Sequence, residues 1–338
     1  MEAPLAKYLE AKLPAENVRV TNLSRIPGGA SRETWMFDAT WGGDGEEHAQ
    51  SFVVRKDPPA SLLETDRETE YAFYSAFWNT KVPVPRMRWL EPDASIIGGP
   101  FFIMDRILGC EGSTRATQAP PYVAVQAQLA ENMYDILGAI ATFDWRGSEV
   151  ERVAEAPTVD TAWRKELDHW EGIINAQEIS PQPLIRAAIR WLRANPPPPA
   201  QRITVVHGDY RVGNFLYQQD GSIHGIVDWE MAHLGDPVED LAWSFNESWW
   251  WAKDGRPGGI VEKDRAIALW ERASGLKADP KALFWWEVFC HVKCQGIWIT
   301  GARSFQEGRS NELILALVAY NLIDGQDQSL LRTLGRLS

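Results

Sequence analysis

The hydrophobic period changes partway along the chain, and a polypeptide with two periods cannot settle into one sheet or one helix bundle. From Val18 to Thr40 apolar and β-branched residues alternate around Pro27-Gly28-Gly29-Ala30-Ser31, which predicts two strands joined by a small-residue loop. The polar, glycine-containing stretch from Gly42 to Gln50 reads as a connection, and SFVVRKDPP reads as a third strand that its prolines end. Tyr71, Phe73, Tyr74 and Phe77 then fall at helical spacing within Thr65 to Phe77, before two more strand patterns at Lys81 to Leu90 and Pro100 to Ile107. Beyond this the pattern is helical over Tyr122 to Phe143, Thr161 to Ala176, Leu184 to Ala194 and most of Ile260 to Leu334. The expected class is therefore α+β in two unlike lobes. Residues 1–106 form a small antiparallel-sheet lobe with one long helix, and residues 107–338 form a larger, mainly helical lobe.

At 338 residues the chain is long enough to bury two such lobes. Its formal net charge of −12 argues against a general affinity for nucleic acid, which depends on Lys and Arg displacing counterions from phosphates. No apolar run reaches membrane-spanning length and the first residues lack a signal-peptide core, so a soluble cytoplasmic protein is expected. The three cysteines, Cys110, Cys290 and Cys294, are too few for a disulfide framework. Cys290, His291 and Cys294 have the spacing of metal ligands, but they lie in WWEVFCHVKCQGIWI, where a buried helix face explains them better. The four prolines Pro196 to Pro199 cannot continue a helix and deliver the chain, extended, into a short strand.

That strand opens the stretch VVHGDYRVGNFLYQQDGSIHGIVDWEMAHLGDP, from Val205 to Pro237. Short strand patterns frame Asp209, Asn214 and Asp228, so that chain reversal brings two carboxylates and an amide to the ends of neighbouring elements. Each residue alone is ordinary turn chemistry, since Asp and Asn favour such positions. Together they form a set of hard oxygen donors suited to Mg²⁺, which shares its coordination sphere between a few protein oxygens and the phosphates of a nucleotide. Phosphoryl transfer is the reaction that needs this arrangement.

His207-Gly208-Asp209-Tyr210-Arg211-Val212-Gly213-Asn214 followed by Asp228-Trp229-Glu230 resembles the aminoglycoside phosphotransferase and choline kinase-like family, which has a bilobal protein-kinase-like fold. The resemblance implies that Asp209 receives or orients the proton of an acceptor hydroxyl, and that Asn214 and Asp228 hold the metal. Arg211 stands where a cation faces the transferred phosphate. His207 and Asp240 correspond to supporting residues of the catalytic loop. In the small lobe, Gly29 and Ser31 belong to the loop that would cover the phosphates. Arg55, with Lys56 as its rival, takes the place of the strand cation, and Glu70, with Glu68 second, would be its helix partner. Asp105 and Ile107 lie where backbone groups would meet an adenine.

The implied activity is an ATP- and Mg²⁺-dependent transfer of the γ-phosphate to a hydroxyl of a small molecule. Neither ATP against GTP nor an oligomeric state can be read from these residues. No segment resembles the peptide-binding activation segment of protein kinases. Among the seventeen tryptophans, Trp243 and Trp249 to Trp251 come after the metal motif and suggest an apolar acceptor wall, hence a partly apolar metabolite. An aminoglycoside or other antibiotic acceptor is the alternative, and a non-catalytic nucleotide-binding module is the rival from another class.

Overall fold

The first half of the chain is organised around five strands, β1 (Glu16–Arg25), β2 (Glu33–Gly43), β3 (Glu46–Lys56), β4 (Met87–Glu91) and β5 (Phe101–Asp105). They are hydrogen-bonded in the order β1-β2-β3-β5-β4, each neighbouring pair antiparallel. The computed structural model describes residues 1–13, 16–26, 33–43, 46–57, 67–249, 252, 254–309 and 313–336. Strand alternation divides this sheet between two cores. Phe52, Val54, Phe101 and Ile103 pack with Leu5, Tyr8 and Leu9 of helix α1 (Glu2–Lys12). Val53, Phe102 and Met104 face the opposite way, onto Phe73, Tyr74 and Phe77 of α2 (Arg67–Phe77).

Three local features depart from the pattern of the sequence. The first is α1, whose short amphipathic face covers one side of the sheet. In the second, β3 begins at Glu46 rather than Ser51, because the β2–β3 ladder continues to the Gly43–Glu46 pair and polar residues pair well on an exposed ribbon. In the third, strand structure between Lys81 and Leu90 starts only at Met87. Pro83 and Pro85 have no N–H to give a ladder.

The rest of the chain carries α3 (Gln126–Thr142), α4 (Glu149–Val153), α5 (Ala162–Gln177), α6 (Pro183–Ala194), α7 (Val238–Trp243), α8 (Lys263–Ser274), α9 (Pro280–Gln306), α10 (Leu313–Leu317) and α11 (Ile323–Thr333). The long α9 is the hub, packed against α5, α6, α7, α10 and α11. Trp145, Trp163, Trp170, Trp229, Trp243, Trp270, Trp285 and Trp286 are buried, so more than half of the described tryptophans serve the core. Cys290 and Cys294 are buried on α9 as expected, and His291 is held between Thr333 Oγ1 and Gln326 Nε2.

Two small two-stranded antiparallel sheets follow, of which only the second is a hairpin. Strand β6 (Thr204–Val206) pairs with β9 (His233–Gly235), and β7 (Phe215–Tyr217) pairs with β8 (Ile223–Ile226). The Ile226 N–H donates to Pro83 O at 2.7 Å, and Trp229 packs on Phe77 with ring centroids 4.7 Å apart. These contacts bring α2 and β3 onto the loop that begins at His207.

Candidate active site

The loop after β6 is shaped by two glycines and one carboxylate. Gly208 has φ +82°, and a Cβ there would lie 2.3 Å from Met231 O, so no other residue fits. Gly213, at φ +112°, leaves room for the Arg211 guanidinium and the Thr114 hydroxyl. Asp240, at the start of α7, accepts the His207 N–H at 2.6 Å and the Gly208 N–H at 2.9 Å. Burial, reinforced by the charge of Glu239, raises the Asp240 carboxyl to about 6. His207 is wholly buried, which lowers it to about 4 and keeps it neutral. Its Nδ1 accepts the Asp209 N–H at 3.1 Å, which leaves Nε2 to donate to Val227 O at 3.1 Å. His207 therefore spans the bases of both motif segments as a prop.

Asp209 is held by three donors. Its Oδ1 accepts from Arg211 Nε at 3.0 Å and from Trp243 Nε1 at 2.8 Å, and its Oδ2 accepts from Asn214 Nδ2 at 2.7 Å. A carboxylate offers about four lone-pair positions, so one remains on Oδ2. Asn214 also bonds Asp209 O through Nδ2, and its own backbone O accepts the Val227 N–H at 2.9 Å, next to Asp228. The structure thus joins Asp209, Arg211, Asn214 and the approach to Asp228 in one network.

Asp228 has left-handed backbone, φ 71° and ψ 55°, which is uncommon for a residue with a side chain. The Tyr74 hydroxyl accepts its N–H at 2.7 Å, and Arg55 Nη2 bonds its Oδ1 at 2.8 Å. Burial works to raise this carboxyl, but the Arg55 guanidinium outweighs it and holds the group below the usual range. Among the described residues no hydrogen-bond donor reaches Asp228 Oδ2 or Asn214 Oδ1. One carboxylate oxygen and one amide oxygen thus keep their lone pairs, and oxygen donors of this kind suit a hard divalent cation.

Strand alternation decides between Arg55 and Lys56. Arg55 shares the face of Val53 and bonds Glu70 Oε1 at 2.6 Å, with Glu230 Oε2 at 3.4 Å. Lys56 points the other way and pairs with Glu33 at 2.9 Å. Arg55 and Glu70 are both nearly inaccessible to solvent, at 7% and 1% exposure. Asp105 sends its carboxylate to Gln50 and Arg88, and its N–H to Arg86 O at 2.9 Å. The Ile107 side chain lies against Gly225, where a Cβ would come within 2.6 Å of Ile107 Cδ1. Gly29 and Ser31 lie outside the described residues.

Three contacts are not anticipated by the pattern of the sequence. Trp243, expected on an acceptor wall, is fully buried and its indole N–H holds Asp209. Tyr74 belongs by spacing to an apolar helix face, but its hydroxyl holds Asp228. Trp249 is half-buried with the Arg211 guanidinium 4.3 Å from its ring centroid, and Trp250 and Trp251 lie outside the described residues. Behind α7, Lys293 Nζ pairs with Glu239 at 2.9 Å, and His233 Nε2 lies 3.1 Å from Glu239 and 3.5 Å from Glu166. Burial opposes the charge on His233, but the two carboxylates raise it to about 9. Two cations thus balance two anions, so the cluster reads as a buried ion-pair network.

The profile of the phosphotransferase enzyme family matches residues 22–276, which contain every one of these contacts except that of Lys293. The chain belongs to that family. Curated relatives include mouse acyl-CoA dehydrogenase family member 10, 28% identical over 245 residues that make up 71% of this chain and 22% of the relative. Human acyl-CoA dehydrogenase family member 11 is 22% identical over 300 residues, 82% of this chain and 35% of the relative. The chain thus spans about a quarter to a third of the length of these proteins. Among solved structures, a Ralstonia eutropha protein provisionally assigned as an aminoglycoside phosphotransferase superposes with a TM-score of 0.74 at 19% identity, covering 98% of each chain. Aminoglycoside phosphotransferase APH(4)-Ia, in a ternary complex with AMP-PNP and hygromycin B, gives 0.61 at 15% identity, covering 97% of this chain and 98% of the other. At these identities the structural likeness shows a shared kinase-like fold. No described helix is long and apolar enough to cross a membrane.

Proposed function

We propose that this family member transfers the γ-phosphate of ATP to a hydroxyl of a partly apolar small molecule. The observation that carries the reading is the network in which Asp209, held by Arg211, Trp243 and Asn214, keeps one lone pair of Oδ2 open, while Asn214 reaches through its backbone to Val227, next to Asp228. The acceptor hydroxyl would donate its proton to that position, aligned by a carboxylate its three donors prevent from rotating. Asn214 and Asp228 would hold Mg²⁺, whose chemistry is to neutralise charge on the phosphates. Arg55, fixed by Glu70, would pair with nucleotide phosphate, and Arg211 would meet charge on the group in transfer. Residues 1–106 would hold the nucleotide, with Gly29 and Ser31 over its phosphates and the backbone of Asp105 and Ile107 at its base. Residues 107–338 would supply the reacting groups and the acceptor pocket.

Beside Asp209 lie a guanidinium and an indole, and a polycationic aminoglycoside would meet repulsion there. The names of the curated relatives point the same way, toward acyl thioesters, so hydroxyacyl-CoA compounds are the first acceptor class to screen. The full chain, incubated with MgATP and either hydroxyacyl-CoA compounds or aminoglycosides, should release ADP and yield a phosphorylated product with the first panel. Product from aminoglycosides alone would reverse the acceptor assignment. MgATP-dependent thermal stabilisation without any product would favour a non-catalytic nucleotide-binding module.

A further inference from the structure

We infer that Trp249 is a positioning residue for phosphoryl transfer, acting through Arg211, one of the two donors that hold Asp209 Oδ1, the other being Trp243; this rests on the role proposed for Asp209 above. Trp249 touches both donors. The Arg211 guanidinium lies 4.3 Å from its ring centroid, and the Trp243 ring is 5.5 Å away and tilted by 52°. A cation on an indole face is attracted by the ring's quadrupole, which fixes where the guanidinium plane lies without using any of its N–H groups. Arg211 therefore keeps donors for Asp209 and for a phosphate while its position is set from behind.

The indole N–H of Trp249 is buried and has no hydrogen-bond partner among the described residues. Buried indoles ordinarily find an acceptor, so hydrogen bonding does not explain this placement. What the ring gains instead is Arg211 on its face, with Trp243 and Trp298 packed around it.

The segment carrying Trp249 is fastened from the far end of the chain. Glu247 accepts from Arg332 and from the Ser329 hydroxyl of α11, at 2.6 Å and 2.8 Å, and the Ser248 hydroxyl donates to Gln326 at 2.8 Å. Helix α11 thereby pins residues 247 and 248, and the next side chain sets the arginine. The last helix of the described chain is thus linked to the reacting carboxylate by way of residues 247 and 248, Trp249 and Arg211.

The test is a mutant cycle on the full chain, with MgATP and an acceptor that the parent phosphorylates, or water as acceptor if hydrolysis is the only turnover. Trp249→Leu removes the ring and should lower kcat about 10-fold while leaving the KM for MgATP within about twofold. Trp249→Phe restores an aromatic face and should recover to within about threefold of the parent. In an Arg211→Met background, Trp249→Leu should change kcat by less than about threefold, whereas independent effects would multiply. Glu247→Gln leaves the ring intact and weakens only its tether, so it keeps the inference open to test if Trp249→Leu does not fold; its kcat should fall about threefold.

Full multiplication in the double variant, or parental kcat in Trp249→Leu, overturns the inference while Asp209→Ala remains inactive. Parental kcat in Glu247→Gln overturns the coupling to α11. Parental turnover in Arg211→Met overturns this inference and the role given to Arg211, whereas a parent that binds MgATP and transfers nothing overturns the function on which both rest.

Discussion

Asp240 offers a test in which hydrogen bonding and charge can be separated. Its carboxylate accepts two consecutive backbone N–H groups, from His207 and Gly208, inside a site where it is itself 2% exposed. Asp240→Ala leaves both donors without an acceptor, whereas Asp240→Asn keeps one carbonyl oxygen for one of them. An unsatisfied buried donor costs about 1–3 kcal/mol, so the alanine variant should be less stable than the asparagine variant by that amount. Both variants remove the charge, so the difference between them reports the hydrogen bond and the volume of the amide.

The charge appears in the pH dependence. Burial raises the Asp240 carboxyl from its usual 3.8 to about 6, so the folded protein binds this proton more tightly than the unfolded chain. Stability from this group is therefore fully present below the unfolded value and lost as pH rises through about 6. Between pH 7 and pH 5 the parent should gain about 1 kcal/mol relative to either variant. Asp236, raised to about 6 chiefly by burial as well, titrates in parent and variants alike and drops out of the comparison. Urea unfolding at both pH values, read from midpoints at unchanged slope, measures both quantities. Equal stability of the two variants would show that the amide oxygen replaces nothing, and a parent-to-variant gap indifferent to pH would show that the carboxyl is not raised.

Asp209→Ala should lower turnover by about 10³-fold, equivalent to about 4 kcal/mol, with MgATP affinity nearly unchanged by calorimetry. Asp228→Ala should weaken MgATP binding as well, and equal affinities for the two variants would contradict the division of roles. Arg55→Met withdraws the guanidinium from a buried Glu70 and should cost about 3–5 kcal/mol in denaturant unfolding, with Arg55→Lys losing less; a methionine variant as stable as the parent would refute the burial argument. Gly208→Ala combines left-handed strain of about 1–2 kcal/mol with a clash against Met231 O worth about 1–3 kcal/mol more. Its melting temperature should fall clearly below the parent's, and an unchanged value would mean that the backbone rearranges at little cost.

Much of the fold is legible in residue order because periodicity and punctuation are local properties. The five strands of the sheet, the helix ending at Phe77 and the short strands that follow Pro199 all arise from alternation, 3.6-residue spacing and turn residues. The choice of Arg55 over Lys56 comes from a strand's two faces, once one face is assigned to the cleft. Where β4 begins depends on which N–H groups a neighbouring strand can use, and the ribbon from Glu46 depends on a partner strand continuing beyond the core. Neither is visible in a single segment.

Residue types and spacings within Val205 to Pro237 determined that two carboxylates and an amide would stand at the ends of short strands, because strand patterns and turn residues are local properties. Tertiary structure alone decided what holds them. Trp243 on Asp209, Tyr74 on Asp228, Glu230 on Arg55 and Trp249 on Arg211 join segments whose mutual placement depends on packing of the whole molecule. An indole or a phenol has the same composition in a core as beside a carboxylate, and only the direction of its polar atom, set by distant contacts, separates the two.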